Sequence, residues 1–315
     1  MGVIGPFSSQ FSLALSPLFN SAQLPILTPV VSAPGIWEQG SCIFTASDTN
    51  AARCAVIARY LLQSGHHKVG IVVDRDSVLS ANVAEYFRRS FKAMGGEIGS
   101  DPTSTGIKFA KVIDKLEQDQ VDCVFFSDHR GTPLAIFAKE LRSRGLKMPI
   151  AGQVAPFTKD LITVGGNAVE GVILSGYFHS DSPEPATKLY SERFRALFGG
   201  LSPSHLDASA YDAANIIFSA YKNGVKTRQE MCAYLHSIGA DPKEKGARPC
   251  WQGATGTFSL ARKLDIRDIY LIEIHKGKYD LIKLYRRGQK EDPNAIPKNN
   301  TPAWLPMRTP SAAVE

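Results

Sequence analysis

The sequence predicts an α/β protein of two Rossmann-like lobes, each a parallel sheet covered by helices. Three observations carry this expectation. Apolar strand-like runs alternate with amphipathic helical stripes from the amino end to about residue 177. Lys68–Val73 and Val121–Phe126 are continuous apolar runs, as in strands buried on both faces. A chain of 315 residues, 43% hydrophobic and 21% charged, is long enough for two separate cores.

The elements follow in order. A first strand ends near Pro6, and Phe11, Ala14, Leu15, Leu18 and Phe19 then recur at helical spacing, with Pro17 expected to kink that helix. Pro25–Pro29 reads as a short strand. Ser47-Asp48-Thr49 caps a helix whose apolar face is Ala52, Val56, Tyr60 and Leu61. After Lys68–Val73, the stripe Val83, Phe87, Phe91, Met94 stops at Gly95-Gly96. Phe109, Val112, Ile113 and Leu116 form a further helix before Val121–Phe126. Leu134, Phe137, Ala138 and Leu141 form the next, ending at Gly145. A strand at Pro149–Gly152, a short helix near Lys159–Val164 that ends at Gly165-Gly166-Asn167, and a strand at Val169–Tyr177 complete the alternation.

Beyond Ser182-Pro183-Glu184-Pro185 the pattern changes to three helices, Thr187–Phe198, Asp207–Lys222 and Thr227–Ile238. Ile269–Tyr285 alternates and turns at Lys276-Gly277-Lys278, which predicts a terminal hairpin. From Gly288 onward Pro, Asn, Lys and Ala dominate without periodicity, the composition of a disordered tail.

Composition narrows the function classes. No run of 18 apolar residues exists, so no direct membrane insertion is expected, and Met1-Gly2-Val3-Ile4-Gly5 is not the basic start of a signal peptide. The net charge of +6 is mild. Its Lys and Arg are interleaved with acids, as in Lys139-Glu140-Leu141-Arg142, which reads as solvated helix faces and not as a nucleic-acid surface. Cys42, Cys54, Cys123, Cys232 and Cys250 have no zinc spacing. Cys123, inside an apolar run, reads as a buried thiol, and spacing alone leaves a Cys232–Cys250 disulfide open. His66-His67 reads as a surface turn before a strand, with no metal implied.

No hydrolase elbow, phosphate loop, zinc-protease helix or dinucleotide fingerprint occurs, so neither catalysis nor a cofactor is expected. In parallel α/β sheets a ligand lies beyond the carboxyl ends of the strands, so the residues just after each strand are the informative ones. Ser9 follows the first strand at a helix start. It reads either as an ordinary N-cap or as part of an anion seat, because hydroxyl and helix amides point the same way. Ser32, after the neighbouring strand, supplies a second hydroxyl. His129-Arg130 reads equally as a crevice contact or a polar turn.

The segments Val3-Ile4-Gly5-Pro6-Phe7-Ser8-Ser9, Leu24–Pro29, Lys68–Asp74, Val121–Phe126, Arg144-Gly145-Leu146-Lys147, Val169-Glu170-Gly171-Val172, Tyr211-Asp212-Ala213-Ala214 and Gly253–Phe258 occur in a telling order. In order and spacing over about residues 3–285 the chain resembles the branched-chain amino-acid (Leu/Ile/Val)-binding group of type I periplasmic binding proteins. The resemblance implies two hinged lobes that close on a small-molecule ligand, an amino acid, amide or small carboxylate. It implies residues 1–46 plus 178–262 as the first lobe and 47–177 plus 267–287 as the second, followed by the tail 288–315. It also implies a periplasmic location and permease subunits of an ABC importer as partners; a cytoplasmic location, suggested by the missing signal, stays open.

By the same resemblance Ser9, the backbone at Val31, and Ser32 hold a carboxylate. Val78, His129 and Gln153 stand where the opposing lobe usually carries aromatic residues and an ammonium-binding acid. Since a buried unpaired ammonium costs several kcal/mol, an ordinary α-amino acid is not expected. The family fold also begins with roughly two further βα units, ~60–70 residues, ahead of the segment matching Val3. The first lobe is therefore expected to be N-terminally truncated, either in the recorded start or in the protein itself. A ligand-sensing regulator of the same fold and a non-binding remnant are the alternatives to a transport component.

Overall fold

From the amino end the chain runs β1 (Val3–Ile4), α1 (Ser9–Ser21), β2 (Ile26–Thr28), β3 (Ile43–Thr45), α2 (Asn50–Gln63), β4 (Lys68–Asp74) and α3 (Val78–Ala93). Next come β5 (Glu97–Ser100), β6 (Thr103–Ser104), α4 (Ala110–Gln118), β7 (Cys123–Phe126), α5 (Gly131–Ser143), β8 (Ile150–Gln153), α6 (Lys159–Gly165) and β9 (Ile173–Gly176). The last elements are α7 (Pro185–Leu197), α8 (His205–Lys222), α9 (Arg228–Ser237), β10 (Trp251–Gly253), β11 (Gly256–Phe258), β12 (Ile269–His275) and β13 (Lys278–Tyr285). This computed structural model describes all residues except 1, 33–35, 37–38, 105, 129, 154–157, 262–266 and 286–315. The tail read above as disordered lies outside the described residues.

Two compact units result. The first comprises Met1–Thr49 and Tyr177–Asp268, the second Asn50–Gly176 and Ile269–Tyr285.

The second unit holds a sheet in the order β13-β12-β9-β8-β7-β4-β5, with β6 paired to the end of β4. Strands β4 to β9 pair in parallel, and β12 joins β9 antiparallel. All four residues of β7 and of β8 are buried, as the continuous apolar runs predict. Helix stripes close over both faces: Phe109, Ile113, Leu116, Leu134 and Phe137 pack with Val124 and Phe126 in one core. The terminal hairpin forms as expected. Lys276 and Gly277 both take positive φ, 51° and 68°, which suits the strongly twisted two-residue turn. The strand expected at Val169–Tyr177 is shorter, because Gly166–Val169 winds into a 3-10 turn ahead of β9.

In the first unit β1, β2 and β3 form a three-stranded parallel sheet with β2 central. Strand β3 has no period-2 signature and is missed by the sequence reading; its residues are all buried. Helices α8 and α9 supply Ala213, Ile216, Ile217, Ala220, Met231 and Leu235 to the core beneath Leu27 and Phe44. Both helices start with reciprocal capping boxes, Ser204 with Asp207 and Thr227 with Glu230.

Two features go beyond what periodicity and spacing show. The apolar stripe of α1 does not face the core: Phe11 is 63% and Leu18 64% exposed, while Ser12 and Ser16 are fully buried. Of this helix, Leu13 and the stripe residue Phe19 pack against the core of the first unit. Ser16 satisfies its buried hydroxyl by donating to the Ser12 carbonyl, 2.5 Å away. Second, Cys232 is bonded to Cys42, 190 residues earlier, and not to Cys250. Spacing cannot show this, since the pairing is made by α9 folding back beside the start of β3.

Candidate functional site

The three parallel strands of the first unit bring their carboxyl ends together, and each is followed by a hydroxyl-rich turn. After β1 the chain turns at Gly5, where φ is 112°, and reaches Ser8, the extended N-cap of α1, which makes no side-chain cap bond. Ser9, read above as a candidate cap, is therefore the first helical residue and is partly exposed. The first turn carries no acidic side chain. Its amides and the positive end of a 13-residue helix are thus left for an anion.

After β2 comes the turn holding Val31 and Ser32. Val31 is fully buried with Ile26, Ile36 and Ile43. Its carbonyl oxygen accepts the Thr45 hydroxyl at 2.6 Å, and the same hydroxyl oxygen accepts the Ser47 N–H at 3.1 Å. Thr45, at the end of β3, therefore pins the Val31–Ser32 turn to the neighbouring strand. Ser32 stands half-buried beside it. A threonine ending a short apolar run is the one sequence signal that could have revealed this support.

In the second unit the corresponding strand ends belong to β4, β7 and β8. Val78 is the first residue of α3, behind the N-cap Ser77, and is 79% exposed. Gln153 ends β8 buried, and its amide nitrogen lies 3.2 Å from the Asn50 carbonyl oxygen and 3.0 Å from Cys54 Sγ. Its N–H donors are thus directed at α2. His129 lies outside the described residues.

The polar group that dominates these strand ends is Arg130, named above only as half of an ambiguous turn. Its guanidinium donates to Asp74 Oδ2 at 2.7 Å and to both oxygens of Asp128, at 3.0 and 2.6 Å. Both carboxylates are buried, while the Arg130 side chain is 46% exposed. The hydrogen bonds it donates to Asp128 and the two acidic charges hold the guanidinium above its ordinary pKa, so it is permanently cationic. A hydroxyl chain stiffens the cluster from below. The Asp74 N–H donates to Ser80 Oγ, which lies 2.6 Å from Ser127 Oγ, and Ser127 donates to the Val72 carbonyl. The signal available in the sequence was two aspartates, Asp74 and Asp128, each just past a buried strand; what they hold is visible only in three dimensions.

His66 and His67 lie in the turn before β4. A carboxylate does approach them, from Asp122, but it accepts the backbone N–H groups of His67 and Lys68.

Residues 1–278 match the family model described as periplasmic binding protein. The chain belongs to this family. It is 21% identical over 212 residues to the Leu/Ile/Val-binding protein BraC3 of Rhizobium johnstonii, covering 66% of this chain and 55% of that one. This periplasmic binding protein thus spans about half the length of the curated relative it matches. A leucine-binding protein of Thermotoga maritima superposes with a TM-score of 0.80 at 19% identity, over 90% of this chain and 79% of that one. A solute-binding protein of an ABC transporter from R. palustris, solved with 4-hydroxybenzoate, gives 0.76 at 19% identity, over 91% and 78%. At these identities the likeness establishes the fold, that of the type I periplasmic binding proteins.

Proposed function

We propose that this periplasmic binding protein carries a small organic carboxylate lacking an α-ammonium group, as the solute-binding component of an ABC importer. Ser9, the first amides of α1 and Ser32 seat the carboxylate. The single observation that carries the reading is Arg130. At the strand ends of the second unit its half-exposed guanidinium stands on two buried acidic partners. A guanidinium has only N–H donors, which suit an acceptor such as a carboxylate and offer an ammonium nothing to bond to. The fold accommodates either class: one structural neighbour is named for leucine and another holds 4-hydroxybenzoate.

Binding without turnover is the corresponding activity, with permease subunits as the partners. The Cys42–Cys232 disulfide supports an extracytoplasmic site of action. Isothermal calorimetry with 4-hydroxybenzoate, 4-hydroxybenzamide and leucine tests the reading. The acid is expected to bind tightest, with Ser9→Ala weakening it by about tenfold, as loss of one hydrogen bond to a charged group does. Preference for leucine, or indifference to Ser9→Ala, would overturn it. Recovery of a chemically altered solute would overturn the assignment to binding alone.

A further inference from the structure

The first unit contains a recess unrelated to the strand ends. It lies between α7 and α8, floored by the β10–β11 hairpin, is half open to solvent and has a volume of about 340 Å³. That is within the range of small-molecule sites. The hairpin is held from below by Asp212, which accepts the N–H groups of Ala254 and Thr255 at 2.7 and 2.8 Å and the Thr255 hydroxyl at 2.6 Å. Gly253 permits this approach: a Cβ there would come within 2.2 Å of the carboxylate. The one acid in the recess is therefore consumed by the scaffold.

The remaining lining has a consistent chemistry. Tyr190 and Tyr211 form an aromatic pair with centroids 4.8 Å apart, and Tyr211 and Phe218 are largely exposed. Trp251 lines the same recess, and its indole N–H is buried with no partner among the described residues. Arg193 from α7 and Lys222 from α8 supply two cations, neither paired with a carboxylate among the described residues. Flat aromatic walls flanked by cations suit a planar anion. Exposed aromatics clustered on one face of a folded unit also mark a binding surface more often than chance.

We propose that this recess is a second ligand site, specific for a small aryl carboxylate, whose ring lies against Tyr190, Tyr211 and Trp251 while Arg193, three residues from Tyr190 on α7, holds the carboxylate. It gives the protein a sensor of aromatic acids that works independently of the solute at Ser9 and Ser32. The proposal does not rest on the reading of that first site.

The test uses protein labelled with 5-fluorotryptophan, with the Trp251 resonance assigned through Trp251→Phe. Titration with 2-naphthoate is expected to shift that resonance saturably, with 2-naphthamide, the neutral isostere, at least tenfold weaker. The double variant Arg193→Gln/Lys222→Gln, altered only at exposed side chains, is expected to lose the response at least tenfold with an unchanged thermal midpoint. Ser9→Ala is expected to leave it intact. Equal responses to naphthoate and naphthamide, an unchanged response in the double variant, its loss in Ser9→Ala, or no saturable shift would each overturn the proposal.

Discussion

The Arg267 guanidinium donates to the carbonyl oxygen of Ala46, 221 residues earlier in the chain. It is 2% exposed and lies over two rings, 4.8 Å from the Tyr177 centroid and 4.1 Å from that of Phe258. The three partners sit at telling places. Ala46 precedes the departure of the chain into the second unit, Tyr177 opens its return, and Arg267 stands one residue before it leaves again at Asp268. One side chain therefore binds together three passages of chain at the exits of the first unit.

Replacing Arg267 should lower the thermal midpoint of the first unit in a way that charge alone does not rescue. Arg267→Met leaves the Ala46 carbonyl buried without its donor, a loss of about 1–3 kcal/mol. Arg267→Lys keeps the charge but cannot spread a planar fork across both rings and the carbonyl. Scanning calorimetry should place both variants below the parent. A lysine variant as stable as the parent would mean that position of charge, and not the fork, holds the exits.

Asp212→Asn should destabilise the β10–β11 hairpin. The carboxylate accepts three hydrogen bonds there, and an amide must turn one NH2 group toward at least one donor. Burial pushes the Asp212 carboxyl up while its donors and Arg267 pull it down, so the donors work against a desolvation cost. A loss of about 2–3 kcal/mol is expected from an unsatisfied buried donor, read as a lower urea midpoint and faster amide exchange at Ala254 and Thr255.

Reduction of Cys42–Cys232 should lower the melting temperature of the oxidised protein. The bridge closes a loop of 190 residues and anchors α9 to the chain entering β3. Bridges of this kind stabilise by about 2–5 kcal/mol. Cys42→Ser should reproduce the effect of reductant and abolish any further response to it, while Cys250→Ser should leave the midpoint in place.

The α9 capping box gives a pH dependence with a definite sign. Backbone N–H groups of Lys226 and Thr227 hold the Glu230 carboxyl below its ordinary value of 4.5. Since the folded pKa is depressed, the stabilisation is present above 4.5 and is lost as pH falls through the folded pKa. Glu230→Gln should therefore melt below the parent at pH 7, with the gap closing as the parent is acidified below 4.5 and through the depressed folded pKa. A gap independent of pH would show that packing, and not the carboxylate, is responsible.

Much of this protein was legible in its residues because the physics involved is local. The parallel sheet of the second unit follows from β4, β7 and β8 being apolar on both faces, and α8 and α9 fall on the helical segments Asp207–Lys222 and Thr227–Ile238, although the sequence reading misses the capping boxes that start them. Ser9 and Ser32 could be placed at strand ends because β1 and β2 have detectable ends. Periodicity failed for α1, whose stripe is apolar yet largely exposed: amphipathicity reports which face is apolar, not whether the fold covers it.

The sequence by itself determined where strands and helices alternate, which strand ends carry hydroxyls, and which ordered motifs ally the chain with its family. The tertiary structure decided the partnerships that span large separations. It joined Cys42 to Cys232, seated Arg267 on Ala46, committed the Gln153 amide to α2, and raised Arg130 on Asp74 and Asp128 as the charged head of its strand ends. The reason is physical. Backbone propensity and burial patterning act over a few residues, whereas pairing of buried charges, thiols and amides depends on which distant segments the folded sheets bring within about 3 Å, the reach of a hydrogen bond.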